Sequence, residues 1–358
     1  MADVFDYLAW RGDLSFDMAE ANEGDRLILC MLSFTDFEGI VSKEIAQDEI
    51  PLSTAVQRCF EKGKVPSDEK QRRLMQKLAE SNRFGGILLS GYQTKLSRGQ
   101  SPVSQWQFAA ITLRFSSHFT VVYRGTDDTL VGWKENFNSA LMYPIPAQEM
   151  AASYLKMASV HGLPLAVQGH SKGGNLAVYA AAIASVPPEQ IKLVYDFDGP
   201  GFESAFFETD RFRILRPKIQ KFLPEYPVIG LIRESNFPKT VVQCTGKGLS
   251  QHNGFHWQFG SLGLLPAKRA DPGAILLNTR LKRCYGALAP EERKQFVEGV
   301  YRLVCLGGRE TVSQLASSKR QLLWDFKKLG KSEKQSLMLV LAQLFRQVIY
   351  GGENQKNS

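Results

Sequence analysis

The sequence lacks the signals that mark a secreted, membrane-spanning or zinc-binding chain. No uninterrupted apolar stretch reaches the roughly 20 residues that span a bilayer, and residues 1–6 have neither the basic region nor the apolar core of a signal peptide. The five cysteines are odd in number, widely spaced and free of any CxxC pair, which argues against a disulfide framework or a zinc knuckle. We therefore expect a cytoplasmic protein with reduced thiols.

The sequence also lacks the nucleotide-binding motifs GxxxxGK[ST] and GxGxxG, so we expect no cofactor. The net charge of +8 is of the sign that attracts anionic lipid or nucleic acid. The basic residues are nevertheless spread out, apart from a local excess in residues 319–334, and a solvated helix face is the interpretation we favour. We expect no nucleic-acid partner, peripheral membrane contact stays open, and nothing in the sequence indicates an oligomeric state.

Hydrophobic periodicity divides the 358 residues into three segments. Residues 1–82 predict a helical N-terminal layer packed on the core, residues 83–270 an α/β core, and residues 271–358 a helical C-terminal region. Residues 108–115 and 119–123 predict a β-hairpin at which the sheet begins. Strand and helix signals alternate after this hairpin, which indicates a mostly parallel central sheet with helices on both faces.

A candidate nucleophile lies in the motif Gly169-His170-Ser171-Lys172-Gly173. A predicted strand, residues 163–168, leads directly into the motif, and a helix-forming run, residues 175–182, follows it. This context is typical of the nucleophile elbow of α/β-hydrolases, in which the helix N-terminus directs free amides at the oxyanion. We therefore predict that Ser171 is the nucleophile. The alternative is a chance GxSxG motif in a loop.

The acid of a triad in this fold follows the nucleophile along the chain. Asp198 comes directly after a predicted strand, residues 191–197, at the carboxyl end where active groups of open α/β sheets collect. Glu225, after the next predicted strand, is the alternative acid, and Asp196 is disfavoured because it lies inside its strand. We favour Asp198, although an aspartate before Gly-Pro is also a common turn former.

Two histidines follow Ser171, and a general base must be one of them. His252 lies in a loop soon after a predicted strand, residues 240–244, and is the predicted base. His256 is the less favoured candidate because Trp257 and Phe259 indicate that its segment becomes buried. The spacing of the two histidines would suit a metal on a helix, but Gly254 disfavours a helix between them, so we predict no metal site.

The segment Tyr123-Arg124-Gly125-Thr126, at the end of the predicted strand 119–123, resembles the class 3 lipases. In that family the corresponding strand ends in an aromatic-Arg-Gly-Thr/Ser stretch with a tryptophan shortly after, matched here by Trp133. The resemblance implies that Thr126 supplies an amide and a hydroxyl to the oxyanion, beside the amide of Lys172. Arg124 is expected to be structural. The Asp198 motif looks instead like the acid-bearing strand end of pancreatic-type lipases, whereas the class 3 location holds Glu225.

As a set, these motifs resemble a bacterial lipase-like α/β-hydrolase family of uncharacterised function, from the N-terminus to about residue 265. The set also includes residues 3–13, residues 197–201 and Gln251-His252. We predict a serine hydrolase, esterase-like or lipase-like, that cleaves a small-molecule or lipid carboxylic ester through an acyl-enzyme on Ser171. The alternative is a catalytically idle hydrolase fold that acts as an interaction module.

A group of phenylalanines after the acid strand predicts either an apolar acyl-binding wall or plain core: Phe202, Phe206, Phe207 and Phe212.

Overall fold

A β-sheet whose strands lie side by side in sequence order forms the centre of the fold. The computed structural model describes residues 2–99, 105–127, 135, 144–286, 289–306 and 319–350, and within these ranges eight strands follow one another across the sheet as β1 to β8. Their bounds are Ile50–Pro51, Leu88–Arg98, Gln105–Arg114, Phe119–Tyr123, Leu165–His170, Ile191–Phe197, Ile219–Pro224 and Lys239–Val242. The β1–β2 and β3–β4 pairs are antiparallel, whereas β4 to β8 are parallel. The predicted α/β-hydrolase fold with a mostly parallel sheet is confirmed.

The centre of the sheet is buried on both faces. Every residue of β4 and of β5 is buried, as expected for parallel strands that are covered by helices. The hairpin predicted over residues 108–123 is present as β3 and β4, with Ala110 opposite Tyr123. The prediction that the sheet begins at this hairpin is wrong, because β1 and β2 precede it. Strand β2 escaped notice because Thr94, Lys95 and Leu96 are exposed, so its second half has the composition of a polar loop.

Helices flank this sheet and continue beyond it. Helices α1 to α8 span Val4–Arg11, Glu23–Leu32, Leu52–Glu61, Glu69–Glu80, Pro146–Ser159, Lys172–Ile183, Asp210–Leu215 and Pro272–Gly286. Tyr195 and Asp196 are neighbours in β6 and therefore point to opposite faces of the sheet. The guanidinium of Arg26, in α2, lies 5.2 Å from the centre of the Tyr195 ring, whereas Asp196 lies against Gly174 of α6. The predicted arrangement of helices on both faces is thus present.

A buried ion pair ties the N-terminal helices together. Nη2 of Arg83 lies 2.6 Å from Oδ2 of Asp25, and both side chains are fully buried. The hydroxyl of Tyr7 donates a 2.9 Å hydrogen bond to the same carboxylate. Helix α2 begins with a capping box in which Asn22 and Asp25 exchange hydrogen bonds with each other's amides. Asp25 therefore links α1, the start of α2 and the segment that follows α4.

The chain divides into two structural units. The first comprises Met1–Lys95, Phe108–Gly125 and Ala147–Ala274, and the second comprises Leu96–Gln107, Thr126–Pro146 and Ile275–Ser358. The division predicted from sequence, 1–82, 83–270 and 271–358, stays a prediction.

Helices dominate the described C-terminal part of the second unit. Helices α9 to α11 span Pro290–Cys305, Lys319–Lys328 and Lys331–Tyr350. Arg302 of α9 pairs with Glu333 of α11 at 2.7 Å, and the hydroxyl of Ser336 donates a hydrogen bond to Gln295. Across the ranges that the structure describes, no helix is long and apolar enough to cross a bilayer.

Candidate active site

Ser171 lies at the sharp turn between β5, which ends at His170, and α6, which begins at Lys172. Its backbone has φ 58° and ψ −131°, a conformation that costs a non-glycine residue energy. The amide of Ser171 donates a 2.8 Å hydrogen bond to the carbonyl of Phe197, at the end of the neighbouring strand β6. The turn therefore places the serine at the carboxyl edge of the parallel sheet, in the strand-turn-helix geometry of a nucleophile elbow.

Two glycines make this turn possible. A Cβ atom on Gly169 would overlap the carbonyl group of Gly173, and a Cβ atom on Gly173 would overlap the carbonyl oxygen of Tyr123. Strand β5, helix α6 and the end of β4 thus approach one another too closely for any side chain. The spacing of the glycines in the motif is explained by this close approach.

Asp198 and His252 form a direct hydrogen bond in the same unit. Asp198 immediately follows β6, is fully buried and has φ 52°. Nδ1 of His252 lies 2.6 Å from Oδ2 of Asp198, and the amide of Gly230 donates a 3.0 Å hydrogen bond to Oδ1. A carboxylate only accepts hydrogen bonds, so Nδ1 carries the proton and Nε2 of His252 is left as the acceptor. This is how a general base is oriented by a buried carboxylate.

The other two carboxylates considered from the sequence are engaged elsewhere. Oε2 of Glu225 accepts a 3.0 Å hydrogen bond from the amide of Cys244. Asp196 pairs with Lys221 at 2.6 Å. In the described ranges, Asp198 is thus the one member of this group that is hydrogen-bonded to His252. The geometry favours Asp198 over Glu225 as the acid of a triad.

His170 connects the elbow to the loop that carries His252. The two imidazole rings lie 4.7 Å apart with their planes inclined by 35°. Nε2 of His170 donates a 2.8 Å hydrogen bond to the carbonyl oxygen of His252. Burial, followed by the nearby charge of His252, lowers the pKa of His170 to about 3, so the ring is neutral at pH 7.

The remaining link of a triad is the contact between the serine and the base. In the part of the chain that the structure describes, the hydroxyl of Ser171 forms no hydrogen bond with His252. In hydrolases without substrate, catalytic hydrogen bonds are often long and shorten only in the complex. The structure therefore joins His252 to Asp198 directly, and joins His252 to the elbow through His170.

The residues predicted for the oxyanion lie at the start of α6 and after β4. Lys172 is the first residue of α6, which begins directly after Ser171. A Cβ atom on Gly125 would lie 3.3 Å from Cβ of Ser171, so the chain after β4 reaches the elbow one residue before Thr126. The oxyanion role of Thr126 and Lys172 stays a prediction. Trp133, which contributed to the lipase resemblance, lies outside the described residues.

Arg124 and His256 form hydrogen bonds with residues of neighbouring segments. The amide of Arg124 donates to the carbonyl of Ala109, and its guanidinium lies 3.4 Å from the hydroxyl of Thr94. The backbone carbonyl of His256 accepts a 2.7 Å hydrogen bond from the amide of Thr245. Among the described residues, no cluster of histidine, cysteine and carboxylate side chains is suited to a metal ion.

The phenylalanines after the acid strand are core residues. All four are less than 10% exposed, and their rings pack on one another, with Phe202 and Phe206 stacked at 4.1 Å: Phe202, Phe206, Phe207 and Phe212. Of the two alternatives left open by the sequence, this packing fits the core.

The chain is similar to one protein family and to several solved lipase structures. Residues 78–302 match the model of a family described as Mbeg1-like. No curated protein matches the chain. Among solved structures, the chain is similar to a deletion mutant of the Rhizomucor miehei lipase propeptide complex, with 13% identity, 66% of this chain and 80% of that chain covered, and a TM-score of 0.36. It is also similar to lipase II from Rhizopus niveus, with 13% identity, coverage of 61% and 80%, and a TM-score of 0.34.

Proposed function

We propose that this chain, which belongs to the Mbeg1-like family, is a serine hydrolase that cleaves carboxylic esters through an acyl-enzyme on Ser171. The observation that supports this function most directly is the 2.6 Å hydrogen bond between Nδ1 of His252 and Oδ2 of Asp198. That bond leaves Nε2 of His252 as a proton acceptor. The His252 loop is held against the residue that precedes Ser171.

The reaction we propose has two halves. In the first, Oγ of Ser171 attacks the ester carbonyl while Nε2 of His252 takes its proton, and the resulting imidazolium returns that proton to the departing alcohol. In the second, His252 takes a proton from the water that attacks the acyl group, and the imidazolium returns that proton to Oγ of Ser171 as the acid is released. Asp198 stays ionised and stabilises the imidazolium in both halves.

The developing oxyanion requires donors that are in place before the reaction. We assign this role to the amide of Lys172, at the N-terminus of α6, together with Thr126. The positive end of the helix dipole adds to the stabilisation of a negative oxygen at this position. Small-molecule or lipid esters are the substrate class that the lipase resemblance implies. The four buried phenylalanines after the acid strand belong to the core, so we assign them no part in acyl binding.

A fluorophosphonate probe tests the proposal on the full-length protein, because only an activated serine reacts quickly with it. We expect one labelled peptide, which contains Ser171, and no labelling of the Ser171→Ala variant. The His252→Ala variant should react at least about a thousandfold more slowly. His161→Ala is the matched control, since His161 is exposed, and it should react like the wild type. A screen of short- and long-chain esters with the same variants would then define the substrate.

A folded wild-type protein that does not react with the probe or hydrolyse esters would overturn the proposal. It would favour the alternative, an idle hydrolase fold that serves as an interaction module. The missing hydrogen bond between Ser171 and His252 in the described structure is the observation on the side of that alternative.

A further inference from the structure

Asp196 and Lys221 form an ion pair in the interior of the sheet. They are cross-strand partners in the parallel pair β6–β7. Oδ2 of Asp196 lies 2.6 Å from Nζ of Lys221, and both side chains are fully buried. Lys221 is a charged residue in a strand whose neighbouring positions Phe222 and Leu223 are buried and apolar. The pair lies one residue away from the end of β6, where Asp198 begins the turn.

Both members of the pair hold the same residue, Gly199. The amide of Gly199 donates a 2.7 Å hydrogen bond to Oδ1 of Asp196, and its carbonyl oxygen accepts a short hydrogen bond from Nζ of Lys221. Gly199 immediately follows Asp198, so the peptide group that joins the two residues is fixed by Asp196. On its other side, Asp198 donates its amide to the carbonyl of Phe222 at 2.8 Å.

The hydrogen bonds on both sides of Asp198 explain its unfavourable backbone conformation. Asp198 has φ 52°, in the left-handed region that non-glycine residues occupy only when their surroundings enforce it. With both adjoining peptide groups fixed, the direction of the Cα–Cβ bond of Asp198 is fixed. From this position Oδ2 meets Nδ1 of His252, and Oδ1 accepts the hydrogen bond from the amide of Gly230.

The pair also contacts the elbow. A Cβ atom on Gly174 of α6 would overlap Oδ1 of Asp196, and one on Gly199 would lie 2.7 Å from the carbonyl oxygen of Ser171. Asp196 therefore lies between the first turn of the nucleophile helix and the turn that carries Asp198. It is placed to keep a constant spacing between these two segments.

A buried ion pair is weak evidence of a stabilising role, because well-packed apolar residues of similar size are often as stable or more stable. An apolar pair would hold neither the amide nor the carbonyl of Gly199. We infer that Asp196 and Lys221 are positioning residues, which fix the backbone of Asp198 so that its carboxylate orients His252. The catalytic meaning of this inference rests on the proposed function, whereas the geometric part stands on its own.

The test uses the double variant Asp196→Asn with Lys221→Met, which leaves no unpaired charge in the interior. Two quantities are measured on the full-length protein: the low-field proton resonance of His252 Nδ1–H, assigned with His252→Ala, and the rate of Ser171 labelling by the fluorophosphonate. Asp25→Asn is the matched control, because Asp25 also belongs to a fully buried ion pair of the first unit, with Arg83.

A folded double variant should lose or shift the His252 resonance and label at least about tenfold more slowly, as expected for a misplaced catalytic group. The control should lose stability while its resonance and labelling rate stay those of the wild type. A folded double variant with an unchanged resonance and rate would overturn the inference. If that variant does not fold, Asp196→Leu with Lys221→Met, an apolar pair of similar size that makes neither hydrogen bond to Gly199, is judged by the same criteria. If the wild type is not labelled, the proposed function fails, and the resonance still decides the positioning role.

Discussion

The imidazole of His170 supports His252 at two points, through ring contact at 4.7 Å and through a 2.8 Å hydrogen bond to the backbone carbonyl oxygen of His252. The two residues are 82 positions apart in the sequence. His252 is therefore held both by His170, the residue before Ser171, and by Asp198. The position of His252, the base that we propose, is thus fixed by contacts within the protein.

Replacing His170 with phenylalanine should slow the labelling of Ser171. Phenylalanine keeps a ring against His252 but leaves the carbonyl of His252 without its donor, a loss that costs about 1–3 kcal/mol when the group is buried. We expect a labelling rate about tenfold below that of the wild type. The rate is measured by quenching the labelling of the folded protein at a series of times. His161→Phe, at an exposed histidine, is the control. A wild-type rate in His170→Phe would show that the hydrogen bond has no part in placing the base.

The identity of the acid can be tested by a pair of isosteric variants. Asp198→Asn removes the charge that orients His252, and we expect labelling of Ser171 to slow by about 10⁴-fold. Glu225→Gln keeps an oxygen acceptor for the amide of Cys244 and should label at the wild-type rate. The rate constants of both variants are measured at the same pH and temperature. The reverse ranking would assign the acid to Glu225.

His170 should make the stability of the fold depend on pH. In the unfolded chain its pKa is the ordinary 6.5, whereas burial lowers its pKa in the folded protein to about 3. The unfolded state therefore binds more protons between these values. Stability from this group is complete above pH 6.5 and decreases as the pH falls toward 3, by at most about 1.4 kcal/mol per pH unit.

Urea unfolding of the wild type and of His170→Gln at pH 7 and pH 5 measures this dependence. Other groups titrate in both proteins, so the difference between them reports on His170. The free energy of unfolding should fall less in the variant than in the wild type over this interval. Equal slopes would mean that His170 is not held neutral by its surroundings.

Phe212 should contribute to stability and not to acyl recognition. Its ring lies 5.4 Å from that of Phe206 and 5.1 Å from that of Phe207, so Phe212→Ala leaves a cavity in the core. We expect the free energy of unfolding to fall by about 3–5 kcal/mol, while the chain-length preference among ester substrates stays unchanged. Ile214→Ala, an exposed position of the same helix, is the control. A changed chain-length preference would instead place Phe212 in a substrate site.

The sequence indicated the fold where the chain is buried on both faces. Strands β4 and β5 are mostly apolar runs that are fully buried, and such runs are typical of the central strands of a parallel sheet. Strand β2 was not predicted because its second half is exposed and carries polar residues. Only its first half is buried, and this difference arises from packing in the sheet, which hydrophobic periodicity does not show.

The candidate site could be predicted only as far as it depends on local sequence. Ser171 has its own motif, and His252 was one of two available histidines. Asp198 and Glu225 both follow parallel strands, and what separates them is the direction of each side chain, which depends on turn conformations that are far from the base in sequence. Lys221 gave one signal that was overlooked: a lysine in a buried strand needs a carboxylate partner, and Asp196 is the residue beside it.

The backbone of Ser171, at φ 58° and ψ −131°, opposes the stability of the fold. Glycine adopts positive φ without steric cost, whereas a serine held there costs of the order of 1–3 kcal/mol. Selection for stability alone would therefore favour glycine at this position, and the hydroxyl is the only polar group that serine adds. The proposed activity and the stability of the fold thus place opposite demands on one residue.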